Sequence, residues 1–218
     1  MSRFRVAVRL LIMPVVVGAI IFTSAGRVDL PGVWGVLGVL AALMLAMALF
    51  TDSGLMHERQ KPGPGNCDCF TRPISALLLP THWVLAGLDA RFGWSAVPRE
   101  VQFAGVIGYA GAMVILLWVV RTNPFYSSVV RVQADRGHRT VETGPYRFVR
   151  HPGYAATLFG VFAGALALGS LIALVPLAVL GGLFLRRTLL EDRMLQLKLP
   201  GYAEYAQRVR SRLVAGVF

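Results

Sequence analysis

Residues 155–185 read AATLFGVFAGALALGSLIALVPLAVLGGLFL, a run of 31 residues without a charge. As one α-helix this run would be about 46 Å long, against roughly 30 Å of hydrocarbon in a bilayer. It has to fold back on itself, and Gly169-Ser170 is the break its residues allow. The expected product is a tight helical hairpin of two short arms whose ends return to the same side.

The same reading extends to the rest of the chain. Val6–Ser24 and Val33–Phe50 are clean apolar runs of spanning length, Val101–Val120 is another that stops at Arg121, and Ile74–Leu88 is a shorter one interrupted by Pro80 and His82. Of the 218 residues 56% are hydrophobic and only 15% charged, and the mean hydropathy is +0.61. A soluble domain carries roughly 25% charged residues. The fold class expected is all-α: a polytopic integral-membrane helical bundle of about five to six transmembrane segments, the last two a helical hairpin. The basic, apolar N-terminus has the look of a signal peptide. A second apolar block follows within ten residues, so a retained first helix is expected.

The net charge of +11 invites a nucleic-acid reading, but its distribution argues otherwise. When sides alternate at each apolar block, nineteen of the 22 Lys and Arg fall on the side of the N-terminus and three opposite. That asymmetry is the positive-inside pattern. It predicts both termini in the cytoplasm, a bacterial inner membrane as the location, membrane lipids as neighbours and no nucleic-acid partner. Cys67 and Cys69, in PGPGNCDCF, have only His57 as a further ligand within ten residues. Free thiols in a cytosolic loop are expected there, and no metal.

Two polar, basic segments therefore share the cytoplasmic face, and the hairpin joins them. In the first, Thr143-Gly144-Pro145 is a turn signal, and His151-Pro152 starts a helix, with proline at the first helical position. The free amides of that first turn, with Arg150 and His151 beside them, make a pocket suited to an anion. Arg147, Arg150, Tyr146 and Tyr154 also fit a plainer role as interfacial anchors. In the second segment Arg187 and Glu191 stand four apart on a helix that Leu199-Pro200-Gly201 ends. Carboxylates near a membrane interface are costly to desolvate and tend to be used. Tyr202, Tyr205 and Val209 then recur at helical spacing, which predicts a short amphipathic helix docked on the membrane surface.

The order GPYRFVRHPGY, charge-free hairpin, R-x-x-x-E-D, GYAEYAQRV resembles the isoprenylcysteine carboxyl methyltransferase and phospholipid methyltransferase family of integral-membrane enzymes. The resemblance covers Asn123 to the C-terminus and divides the chain into transmembrane helices over 1–122 and a methyltransferase core over 123–218. It implies an S-adenosylmethionine-dependent transfer of a methyl group to a lipophilic acceptor from the bilayer, with S-adenosylhomocysteine as product. The cofactor pocket it implies is cytoplasmic and has no Rossmann domain. The chain indeed lacks a G-x-G-x-x-G after a strand. By resemblance Gln133, His138, Arg139, Thr140, Val141, Tyr146, Arg150, His151, Pro152, Gly153, Tyr154 and Glu191 line the cofactor site, and Arg187 faces the acceptor. The chain departs from some relatives in having two fewer residues between Gln133 and His138, and in Asp192 where a second glutamate is common. A carboxylate acceptor needs only orientation, by Arg187; an amine or thiol would call on His151 or Glu191 as base.

Two other classes compete. Sterol-reductase-type membrane enzymes share an R-H-P-x-Y element and use NADPH, but typically carry H-x-W-Y-x-x-K-F where this chain has GYAEYAQRV. A non-catalytic scaffold or transporter half would place polar groups in mid-span, where this chain has essentially only Thr, Ser and His82.

Overall fold

The computed structural model of the protein describes residues 3–218. Met1 and Ser2, and the side chains of Arg3, Arg5 and Arg9 counted in the charge reading, lie outside the described residues. The described chain is helical: α1 (Arg3–Ala25), α2 (Pro31–Phe50), α3 (Ser53–Gln60), α4 (Thr71–Phe92), α5 (Arg99–Thr122), α6 (Pro152–Ala167), α7 (Leu174–Lys198) and α8 (Tyr202–Arg208), with no strand among the described residues.

Six of these helices run the length of one bundle in alternating directions. At one end Ser170 Oγ donates to Asp89 at 2.6 Å, and the Leu171 amide donates to Ser95 Oγ at 3.0 Å. Asp89 is buried and also accepts from the Ser95 amide at 2.7 Å. One carboxylate thus ties the turn between α6 and α7 to the turn between α4 and α5. The other end gathers the arginine-rich segments, Thr51–Thr71, Asn123–His151 and Arg186 onward. Among the described residues Arg27, Arg91 and Arg99 lie toward the first end and the other basic residues toward the second.

Helices α2 and α5 are long and apolar enough to cross a membrane, and Leu11–Ala25 and α6 are shorter apolar stretches. Their outward faces expose Trp34, Phe103, Val114 and Phe159, and α4 and α7 add Leu77 and Val175. Apolar surface this extensive is unfavourable in water and suits lipid. Helix α4 is longer than the Ile74–Leu88 run suggests and continues through Pro80. Two neighbouring side chains take up carbonyls there, with Thr81 Oγ1 on Leu77 O at 2.8 Å and His82 Nδ1 on Leu79 O at 2.7 Å.

The hairpin breaks where expected, with Gly169 at φ +76°, but its arms are not tightly paired. Helix α6 packs chiefly along α5, and α7 along α4. Small residues cause this, because α5 and α6 meet through Gly105, Gly160, Ala163 and Ala167 with their backbones nearly touching. A Cβ at Gly105 would stand 2.5 Å from the Ala167 nitrogen and 2.8 Å from the Ala163 oxygen. Gly32 and Gly35 likewise face Ala167 and Val106 of the same chain, whereas Gly38 has nothing within 4 Å.

The stretch between α2 and α4 is built into the bundle. Asp52 caps α3, accepting from Gly54 and Leu55 amides at 2.8 and 3.1 Å, and Leu55 is fully buried beside Leu43, Met47 and Val120. Gly105→Val should lower the thermal midpoint in detergent by an amount equivalent to about 1–3 kcal/mol, whereas Gly38→Ala should leave it unchanged or raise it.

Candidate functional site

The segment that follows α5 is folded by side chains more than by regular structure. Asn123 Oδ1 accepts from the Phe125 amide at 2.8 Å, and its Nδ2 donates to Tyr146 OH at 2.8 Å. Gln133 is buried and donates from Nε2 to Phe125 O at 2.6 Å, while its Oε1 accepts from Arg136. The Gln133 amide donates to His138 Nδ1 at 3.2 Å, which leaves the imidazole proton on Nε2. Burial, with the charges of Arg131 and Arg136 beside it, pushes the His138 pKa down to about 4.

Below this segment lies a chain of buried ion pairs. Arg131 forms a two-bonded pair with Glu58 of α3, both contacts at 2.9 Å, and also bonds Asp135 at 2.7 Å. The hydrogen bond from Arg131 holds Glu58 below the usual carboxylate range against its burial. Arg150 pairs with Asp192 in the same two-bonded way, at 2.8 and 2.9 Å. Asp192 is buried and also accepts from Arg212 and Gln196 at 3.0 Å and from Tyr202 OH at 3.1 Å, with His151 Nε2 at 3.4 Å. Burial pushes the Asp192 carboxyl up, and the donors and charges of His151 and Arg150 outweigh it, so it stays well below the usual range. The rest of Arg150 holds the C-terminal segment, through Val209 O at 2.7 Å and Arg210 O at 2.8 Å.

A cavity opens between these layers. His138, Arg139, Thr140, Val141, Tyr146, Arg150, His151, Gly153, Tyr154 and Glu191 line it, with Phe125, Tyr126, Leu195 and Leu199 supplying apolar wall. Of the residues singled out in the sequence, Gln133, Pro152 and Arg187 do not line this cavity. Gln133 acts behind the wall by fixing Phe125 and His138. Pro152 starts α6, and the Tyr154 and Ala155 amides of its first turn donate to His151 O at 3.1 Å. Arg150 directs Nε and Nη2 to Asp192 and Nη1 to the C-terminal carbonyls. Arg139, exposed at the rim, has no carboxylate partner among the described residues.

Arg187 belongs to a second groove, lined by Arg59, Thr71, Ser75, Leu79 and Phe184 among others. The two cavities share Tyr126, Ser127 and Tyr154. Tyr154 sits at the junction: its hydroxyl donates to Glu191 in one cavity and accepts from Arg187 Nε at 2.7 Å in the other. Its ring stacks on His151, centroids 5.7 Å apart. Gly153 is required beside it, because a Cβ there would come within 2.6–2.7 Å of the Tyr126 ring.

Residues 106–197 match the isoprenylcysteine carboxyl methyltransferase (ICMT) family. Over those residues the chain is similar to that family. "Probable protein-S-isoprenylcysteine O-methyltransferase" of Oryza sativa, subspecies indica and japonica, is 30% identical over 121 residues, which cover 53% of this chain and 63% of the rice protein. "Protein-S-isoprenylcysteine O-methyltransferase B" of Arabidopsis thaliana is 27% identical over 150 residues, 63% of this chain and 76% of the plant protein. The chain thus spans a little under two thirds of the length of the rice relatives. The family match stops short of α8 and the C-terminal segment, which the structure ties to the site.

Helix α8 is not a surface anchor. Tyr202 and Tyr205 are buried, and Tyr205 OH donates to Tyr146 O at 2.7 Å. The helical spacing of these tyrosines is real, but the face they form packs inward on the cavity wall. Glu58, Asp68 and Tyr126 are functional-site residues that carry no motif, and Asp192 does more than stand in for a second glutamate. The ion pairs Glu58–Arg131, Asp68–Arg186 and Arg150–Asp192 join residues 42–118 positions apart, a separation that local spacing does not mark.

Two outcomes follow. Asp192→Asn leaves Arg150 buried without its charge partner and should cost about 3–5 kcal/mol of stability, read as a large fall in thermal midpoint. The depressed His138 pKa contributes stability that is complete above about pH 6.5 and is lost as pH falls toward 4. The midpoint should fall across that window, and His138→Asn, which keeps an acceptor for the Gln133 amide, should flatten the fall.

Proposed function

We propose that this chain is a membrane-embedded methyltransferase that uses S-adenosylmethionine to methylate a carboxylate on a lipophilic acceptor of the isoprenylcysteine kind. The observation that carries the reading is the shared wall at Tyr154, with a polar-rimmed cavity on one side and an arginine-bearing groove on the other. A two-substrate transfer needs such a junction, because donor and acceptor must be aligned while each enters by its own route.

The first cavity fits the cofactor by its donor set. His138 Nε2–H and Arg139 suit a carboxylate, Glu191 keeps one oxygen for an ammonium or a diol, and Phe125, Val141, Leu195 and Leu199 suit a purine. Tyr126 and Tyr154 offer aromatic faces where the two cavities meet, suited to a sulfonium. When bound, S-adenosylmethionine supplies an electrophilic methyl group. The chain's own part is alignment. Arg187 holds the acceptor carboxylate, which is ionised at neutral pH and needs no general base. Tyr154 couples Arg187 to Glu191, so the two sides are set relative to each other. His151 points Nε2 at Asp192 and serves as support for the Tyr154 ring.

The membrane reading extends to six spanning helices, α1, α2, α4, α5, α6 and α7, with the basic end and both termini in the cytoplasm. The one-sided arginines support it.

Calorimetry on detergent-purified protein tests the cofactor. S-adenosylmethionine should bind with micromolar affinity, weakened about tenfold or more by Glu191→Gln. Tyr154→Phe should lower kcat with N-acetyl-S-farnesyl-L-cysteine as acceptor more than it weakens the cofactor. A well-folded parent protein that binds no S-adenosylmethionine would sink the proposal.

A further inference from the structure

Asp68 is a buried carboxylate that the reading above leaves without a task. It lies between Cys67 and Cys69, and its position is set from both sides. The Asp68 amide donates to Asn66 Oδ1 at 3.0 Å, and Asn66 Nδ2 donates to Asp68 O at 2.8 Å. The same turn is tied to the core, because the Cys67 amide donates to Val130 O at 2.9 Å and the Val130 amide to Asn66 Oδ1 at 3.2 Å. The carboxylate so placed meets two adjacent arginines, Arg186 at 3.1 Å through Oδ1 and Arg187 at 3.6 Å through Oδ2. Oδ2 is buried and has no hydrogen-bond partner among the described residues.

Arg187 shows why a charge is placed there. Its Nε donates to Tyr154 OH at 2.7 Å and its Nη2 to Ser128 O at 3.1 Å. Both are neutral acceptors, which do little to offset a buried guanidinium. Asp68 is the anion on the third edge, beside Nη1. We propose that Asp68 is a positioning residue, fixing the plane of Arg187 so that its remaining N–H groups face the groove between α4 and α7. Resting on the methyltransferase reading, this makes the loop before α4 a determinant of acceptor binding. The groove has further unused donors and acceptors: the Thr71 and Ser75 hydroxyls, one turn apart on α4, are buried and unpartnered.

The plainer role for Asp68 is a cap on α4, since Oδ1 accepts from the Thr71 amide at 3.3 Å. Asp68→Asn separates the two roles: it keeps an acceptor for the Thr71 amide and removes the charge. Phenylglyoxal labelling followed by peptide mass spectrometry reads the position of Arg187 directly, with no need for turnover. Arg187 should be protected in the parent and label about fivefold faster or more in Asp68→Asn. The KM for N-acetyl-S-farnesyl-L-cysteine should rise about tenfold while the Kd for S-adenosylmethionine stays within about twofold. Should Asp68→Asn not purify folded, Asp68→Ser, which also keeps a cap, replaces it. Unchanged protection of Arg187, or a KM that is unchanged or lower, would overturn the proposal. Faster labelling in a parent background that binds cofactor but does not methylate the probe would support Asp68 and sink the proposed acceptor.

Discussion

The carboxylate of Asp192 is reached from three separate lengths of chain: Arg150 and His151 ahead of α6, Gln196 and Tyr202 at the end of α7 and the start of α8, and Arg212 beyond it. A buried ion pair seldom adds much net stability over an apolar replacement, because both charges must first be desolvated. It does penalise every arrangement that leaves one charge alone. Arg150 and Asp192 therefore specify a geometry. The cavity wall of Tyr146, Tyr154, Tyr202 and Tyr205 is held in that geometry, and the Glu58–Arg131 pair does the same for the opposite wall.

These pairs lie at one end of a bundle whose flanks expose large apolar side chains. In the bundle proper, contacts come from close packing of small residues on α5 and α6, with Asp89 the polar tie at the far end. The site end is different, since its elements are short and its order comes from side chains bonding to backbone. Gln133 on Phe125 O, Asn123 on the Phe125 amide and Arg150 on Val209 O are bonds of that kind. Such a construction lets two cavities share a single aromatic wall. A regular helix pair would have closed one of them.

Much of this was readable in the residues. The charge-free length of 155–185 required a fold back near Gly169-Ser170, and the helix starting at Pro152 lies where the proline put it. His138–Val141, Tyr146, Arg150, His151, Gly153 and Tyr154, with Glu191, do come together around one cavity. What escaped reading was partner choice. Arg150 beside a helix start looks like an anion ligand, and only the fold shows that Asp192, 42 positions on, already occupies it. Tyr202 and Tyr205 have the spacing of an amphipathic helix, but spacing does not say whether the apolar face meets lipid or protein. Asp68 carries no local signal of its role, because Arg186 lies 118 positions on.

The C-terminal segment carries one more consequence, for the order in which the protein is made. The Arg150 and His151 amides donate to Ser211 O and Arg212 O at 3.0 and 2.8 Å, and Arg212 closes the shell around Asp192. Every helix of the bundle precedes these residues in the chain. The shell around Asp192 is thus complete only once Arg212 has been added to the chain. A nascent chain paused short of that point would hold every helix and still lack the last donor to Asp192.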